Sequence, residues 1–127
     1  MIDHLDHLVL TTNDEAACTA FYVGLLGMKL EVFGNGRKAF RFGDQKINLH
    51  IRGREFEPKA DRPTPGALDL CFIADRPLDD AIAALEAGGA QIVEGPVLRT
   101  GATGPIRSIY LRDPDLNLIE ISEHVED

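Results

Sequence analysis

Short apolar-rich runs broken by turn residues make up most of this chain, and they come in two series of the same order. Leu5 to Thr11 has the content of a strand. Asn13 is placed to cap a helix, with Asp14 and Glu15 in the first turn, where acidic side chains favour the helix dipole. Ala17, Phe21 and Leu25 fall four apart and give that helix one apolar face, and Gly27 suits its end. Met28 to Phe33 predicts a second strand and Gly34-Asn35-Gly36 a hairpin turn. Arg37 to Phe42 and Lys46 to Arg52 follow as third and fourth strands. Gly53 to Gly66 is polar, holds Pro58, Pro63 and Pro65, and reads as a connector.

The second series repeats the first. Ala67 to Ala74 predicts a strand. Pro77 opens a helix whose buried face is Leu78, Ile82 and Leu85, and Gly88-Gly89 closes it. Gln91 to Val97 and Ile106 to Arg112 predict strands, Asp113-Pro114-Asp115 a turn, and Leu116 to Ser122 the last strand. Arg99 to Pro105 is expected as a mobile loop able to close over substrate, and the acidic tail from Glu123 to Asp127 as a frayed end. The expected fold is α+β, with two tandem βαβββ modules, at about 4-52 and 66-123, whose mixed sheets form a cup. No helix joins the second, third and fourth strands of a module, so these are antiparallel.

Strand alternation then sorts the side chains. Ile47, Leu49 and Ile51 point toward the helix, and Lys46, Asn48 and His50 toward the hollow side. Leu118, Glu120 and Ser122 take the hollow side of the last strand. Aligning Asp44–Ile51 with Pro114–Ile121 without gaps sets His50 on Glu120, an offset of 120 − 50 = 70. His7 and Asp69 hold matching places, each six residues before a polar residue, Asn13 and Asp75.

Four candidates therefore share hollow faces: His7, His50, Asp69 and Glu120. Two imidazoles and a carboxylate suit a divalent ion such as Ni, Zn, Mn, Co or Fe, with positions open for substrate or water. Asn48 shares the face of His50, and a register two residues different gives it the ligand place. Plainer roles compete: His7 satisfied by a backbone carbonyl, His50 ending a strand in water, Asp69 paired with Arg107 or Arg112. Arg37, Arg41, Arg99 and Arg107 are candidates for an anionic substrate, and Tyr110 alternates toward the cavity with Ser108 and Arg112.

The bulk numbers narrow the classes. A chain of 127 residues is one domain by size. A formal net charge of −8 argues against a nucleic-acid surface and against an anionic membrane. No apolar run is long enough to span a bilayer, and no basic-then-apolar leader opens the chain. Cys18 and Cys71 lie in apolar patterns, form no CxxC, and read as buried thiols of a reducing cytoplasm. No phosphate-cradling glycine loop or nucleophile elbow is present. An aromatic content of 6% without tryptophan counts against an aromatic-lined sequestering groove.

Three stretches carry a resemblance. They are the Leu5-Asp6-His7-Leu8-Val9-Leu10 opening, the Phe21-Tyr22-Val23-Gly24-Leu25-Leu26-Gly27-Met28 helix end, and the Arg112-to-Glu120 close containing Asp113-Pro114-Asp115. With the paired modules, they resemble the vicinal oxygen chelate superfamily of glyoxalases, bleomycin-resistance proteins and extradiol dioxygenases. Phe42 to His50, Glu55 to Ala60 and Glu94 to Ala102 resemble the narrower branch of glyoxalase domain-containing protein 5. The resemblance implies a divalent metal that a small substrate chelates through vicinal oxygens. It sets His7 at the first ligand, His50 or Asn48 at the second, Asp69 at the third and Glu120 at the last. It further implies a homodimer and a lyase or isomerase of lactoylglutathione-lyase type. Glu120 and Asp69 then serve as acid-base groups, and Asn48, Arg99 and Tyr110 as substrate contacts. A sequestering protein for a small toxic ligand and an extradiol-type dioxygenase are the alternatives. Histidine and aspartate at the second and third places depart from the usual glyoxalase pattern.

Overall fold

The structure, a computed structural model, describes residues 1–126. The chain divides into two compact units, Met1–Ala67 and a second that begins at Leu68. The first unit runs β1 (His7–Thr12), α1 (Glu15–Thr19), β2 (Lys29–Phe33), β3 (Arg37–Phe42) and β4 (Gln45–Ile51). The second runs β5 (Asp69–Ile73), α2 (Leu78–Ala87), β6 (Glu94–Gly101), β7 (Gly104–Arg112) and β8 (Leu118–His124). Each unit holds one four-stranded mixed sheet, in the orders β1-β4-β3-β2 and β5-β8-β7-β6. The α+β fold of two tandem βαβββ modules is thus observed. The first strand of each unit runs parallel to its last, and the remaining pairs are antiparallel, as expected.

Local chemistry moves several boundaries. The cap of α1 is Asp14 rather than Asn13, because the Asp14 carboxylate accepts the Ala17 N–H at 3.0 Å. Helix α1 continues as a π-helical run, Ala20–Leu25, whose wider turn shifts the buried face. Cys18 and Tyr22 are therefore fully buried, while Ala17, Phe21 and Leu25 are only half-buried. Tyr22 stacks on Phe40 of β3, with ring centroids 5.3 Å apart, which ties this helical segment to its sheet. In α2, Leu78, Ala81 and Leu85 are buried and Ile82 is half-buried. Cys71 is exposed, unlike the buried thiol expected of it.

The expected mobile loop from Arg99 to Pro105 is instead the tip of a tight hairpin. Gly101 pairs with Gly104, leaving two residues to turn the chain. A side chain at Gly101 meets the Gly104 carbonyl at 2.8 Å, so the strands close only with glycine there. The last strand begins at Leu118 and runs on through Glu123, which the sequence reading assigned to a frayed tail. Glu123 accepts the Leu78 N–H at 2.8 Å and pairs with Arg107 at 3.2 Å, so it anchors the start of α2 to β7 and β8. Asp127 lies outside the described residues. The Asp113-Pro114-Asp115 turn is held by the buried Asp113 carboxylate, which accepts the Asp115 and Asn117 N–H groups, both at 2.9 Å. Asn117 in turn accepts the Leu68 N–H at 2.8 Å, tying this turn to the entry of β5. No helix among the described residues is long and apolar enough to cross a membrane.

A bulge in β6 was not foreseen. The register shifts between Glu94 and Val97, so that Arg99 falls on the same face as Tyr110. Gly95 makes it possible: its φ is +98°, and a Cβ there lies 2.4 Å from the Ser108 carbonyl oxygen. Gly95→Ala is expected to destabilise the protein by about 2–4 kcal/mol in urea unfolding, from left-handed strain plus overpacking. A cost within about 0.5 kcal/mol, typical of neutral surface changes, contradicts this account of the bulge.

Candidate functional site

The parallel pairing of β1 with β4 sets His7 beside Lys46, Val9 beside Asn48 and Thr11 beside His50. Paired residues point the same way, so His7, Asn48 and His50 share one face of the first sheet. His7 is one diagonal step from Asn48 and two steps from His50. The His7 side chain is partly exposed, and its Nδ1 lies 2.8 Å from the Asp6 carboxylate. That contact fixes the ring and leaves Nε2 for a further partner. The Asn48 Oδ1 is buried and has no hydrogen-bond partner. An orphaned buried acceptor costs about 1–3 kcal/mol, which makes Asn48 a candidate to meet a ligand.

His50 is placed differently. It is 4% exposed, and its ring packs against Phe56 of the connector at 5.9 Å. The Arg37 guanidinium lies over Phe56 at 4.7 Å and over Phe33 at 5.7 Å, and the Lys46 ammonium lies 3.9 Å from the Phe33 ring centre. Cation, ring, cation, ring and imidazole thus alternate. Burial, and then the Arg37 charge, hold the His50 imidazole below its ordinary pKa of 6.5, against a smaller opposing effect of Glu55 and Glu57. His50 is accordingly neutral at pH 7.

In the second sheet β5 pairs with β8 so that Asp69 faces Leu118, Cys71 faces Glu120 and Ile73 faces Ser122. Asp69 is exposed and Glu120 half-buried. They stand one diagonal step apart on one face, as His7 and Asn48 do on theirs. Matching β1 to β5 through their first residues is an offset of 69 − 7 = 62, which carries Lys46 onto Leu118 and Asn48 onto Glu120, an offset of 120 − 48 = 72. The gapless sequence alignment at offset 70 differs from these registers by two residues. By strand pairing, Asn48 is the counterpart of Glu120.

Tyr110 pairs with Glu120 across β7 and β8. Its hydroxyl accepts the Arg99 Nε–H at 3.0 Å, while a second Arg99 nitrogen reaches Glu94 at 3.5 Å. Ser122 and Ser108, both fully buried, bond through their hydroxyls at 2.7 Å, and Ser122 also lies 3.3 Å from the Cys71 Sγ and 3.5 Å from Glu120. Burial raises the Cys71 pKa, the Ser122 hydroxyl lowers it, and the Glu120 charge raises it again, so the thiol stays protonated. Arg107 is engaged by Asp79 at 3.0 Å and by Glu123, and Arg112 donates to the Leu116 carbonyl at 3.3 Å. Among the described residues no three His, Cys, Asp or Glu side chains gather as a complete metal shell. A shell that includes Asn48 uses an amide oxygen instead.

Sequence reasoning missed the Phe33 and Phe56 packing and the bulge that presents Arg99. Phe56 lies in an irregular connector, where no periodicity assigns it to a face. Gly95-Pro96 inside a strand was the available signal for the bulge.

The model of the glyoxalase/bleomycin resistance protein/dioxygenase superfamily matches residues 4–121. The chain is 57% identical over 125 residues to virulence protein STM3117 of Salmonella typhimurium, covering 98% of this chain and 87% of that protein. The crystal structure of that relative superposes with a TM-score of 0.96, over 98% of this chain and 99% of the other. Glyoxalase domain-containing protein RDO1 of Mycosarcoma maydis is 58% identical over 120 residues, 94% of this chain and 68% of that protein. Lactoylglutathione lyase from Agrobacterium tumefaciens has the same fold, with a TM-score of 0.74 at 23% identity over 97% of this chain and 95% of the other.

The depressed pKa of His50 has a consequence for stability. The unfolded chain binds a proton on this imidazole near pH 6.5, whereas the folded chain binds it only at lower pH. Stability is therefore complete above about pH 6.5 and falls as the pH drops toward the folded value. The urea midpoint of the wild type is expected to decline below about pH 6.5 more steeply than that of His50→Gln. Parallel curves for the two proteins contradict the placement of His50 as a buried neutral ring.

Proposed function

The chain belongs to the glyoxalase/bleomycin resistance protein/dioxygenase superfamily, and from that premise we propose that it is a metal-dependent lyase or isomerase of glyoxalase type. The observation that carries the reading is the orphaned Oδ1 of Asn48, on the face of His7 and at the counterpart position of Glu120. Imidazole nitrogen, amide oxygen and carboxylate form a donor set that fits a first-row divalent ion.

In this proposal His7 and Asn48 are the candidate donors of the first unit, and Glu120 and Asp69 those of the second. His50 stands as the alternative second ligand. When bound, the ion supplies Lewis acidity toward two vicinal oxygens of a small substrate. His7 binds through Nε2, oriented by Asp6 at Nδ1. Glu120, half-buried and near the Ser122 hydroxyl, takes and returns a proton at its carboxylate, with Asp69 as the second acid-base group. Tyr110, held by Arg99, presents its phenol beside Glu120 and contacts substrate. Pairing of two copies and a cytoplasmic setting belong to the same proposal.

The protein purified without chelator is expected to hold a first-row divalent ion in stoichiometric amount. Asn48→Leu removes the donor together with its unsatisfied oxygen, so it is expected to match or exceed wild-type stability while losing metal affinity about tenfold or more. Glu120→Gln is expected to retain the fold and lose isomerisation of a 2-oxoaldehyde–thiol hemithioacetal by about a hundredfold or more. Wild-type protein that takes up no divalent ion, yet binds a planar ligand without turning it over, overturns the enzyme in favour of a sequestering protein.

A further inference from the structure

The geometry points to Arg37 as a specificity-determining residue that selects a substrate carrying a carboxylate, held beside Asn48. This rests on the reading above that the Asn48 face receives substrate. Lys38 pairs with Leu49 and Ala39 with Asn48, so Arg37 falls across from His50, one diagonal step from Asn48. Its guanidinium is packed against the rings of Phe56 and Phe33. A guanidinium held against aromatic rings keeps its charge, and the N–H donors at its edge form the fork that matches a carboxylate.

Among the described residues that edge has no anion. Arg41 is taken by Glu31 at 2.7 Å, Arg76 by Asp75 at 2.7 Å and Arg107 by Asp79 and Glu123. Among the described residues the Arg37 side chain has neither an ion pair nor a hydrogen bond. The acidic groups nearest His50 are committed elsewhere: Glu55 accepts the Gly53 N–H at 3.0 Å, and Glu57 pairs with Lys59. Lys46, two residues before Asn48, is held over Phe33 and differs in that its charge acts on the Asp6 and Glu31 carboxylates. In a chain with 21 acidic and 13 basic residues, a cation left unpaired on a polar face marks a place suited to negative charge. A carboxylate gripped by Arg37 leaves the other end of a short substrate at Asn48.

Two pairs of probes test the assignment. On Ni(II)-loaded protein, 2-oxoglutarate is expected to bind at least about tenfold more tightly than 2-oxopentanoate, which keeps the vicinal oxygens and lacks the distal carboxylate. Arg37→Met is expected to reduce 2-oxoglutarate to the level of 2-oxopentanoate, with Ni(II) affinity and melting temperature unchanged. Arg37→Lys, which keeps charge without the fork, is expected to recover part of the preference. On metal-free protein, benzoate is expected to shift the Arg37 Nε resonance and benzamide to leave it. Equal binding of the two oxo acids by wild type, or a preference that survives in Arg37→Met, overturns the inference. Should wild type bind no Ni(II), the metal reading fails by itself. A benzoate shift of the Arg37 Nε resonance in wild type still sustains the anion site in that event, and no benzoate shift overturns it.

Discussion

Everything about the polar faces depends on one constraint, the parallel pairing of the first and last strands within each unit. Register in a sheet has a side-chain period of two, so a slip of one residue sends every side chain to the opposite face. The register is pinned here from the core side. Leu10, Ile47 and Leu49 are buried, as are Ile119 and Ile121, and each belongs to the alternate set of a paired strand. Burying those residues forces His7, Asn48 and His50, and likewise Asp69 and Glu120, onto the other face. The core thus assigns the chemistry without touching it.

A slip of two residues keeps the face and changes the neighbours, which is why the choice between Asn48 and His50 was the hardest feature to read. Along the chain, Ile47-Asn48-Leu49-His50-Ile51 offers two equivalent polar positions, and alternation alone ranks neither above the other. The ladder breaks the tie, because Asn48 pairs with Val9 and His50 with Thr11. Burial distinguishes them again. His50 is enclosed by Phe56 with its charge suppressed, whereas Asn48 is left with an unmet acceptor. A ring packed away in neutral form has already found its environment; an amide oxygen without a donor has not.

The fold itself was legible where local signals were strong. Gly34-Asn35-Gly36, Gly88-Gly89 and Pro77 each mark a boundary that the backbone uses, and every strand but β6 lies close to its expected place. The failures share a cause: they are set by partners distant in sequence. Asp14 outcompetes Asn13 as the cap only when the helix geometry brings Ala17 within reach. Glu123 is ordered by Leu78 and Arg107, which lie 45 and 16 residues away. Gly101 and Gly104 read as freedom in a string of letters, yet in the sheet they are what lets two strands approach closely.

The same distinction separates two kinds of cation. In the second sheet, Arg99 is satisfied by Tyr110 and Glu94, and Arg107 by Asp79 and Glu123, so its cations shape the protein's own acidic groups. In the first, the packing partners of Arg37 are aromatic rings, which hold a cation in place without neutralising it. An ion pair fixes position and cancels charge together; a ring fixes position alone. The intact charge also opposes protonation of the neighbouring His50. Such an arrangement makes physical sense when the missing counter-charge arrives from outside, on the face where Asn48 also lacks a partner.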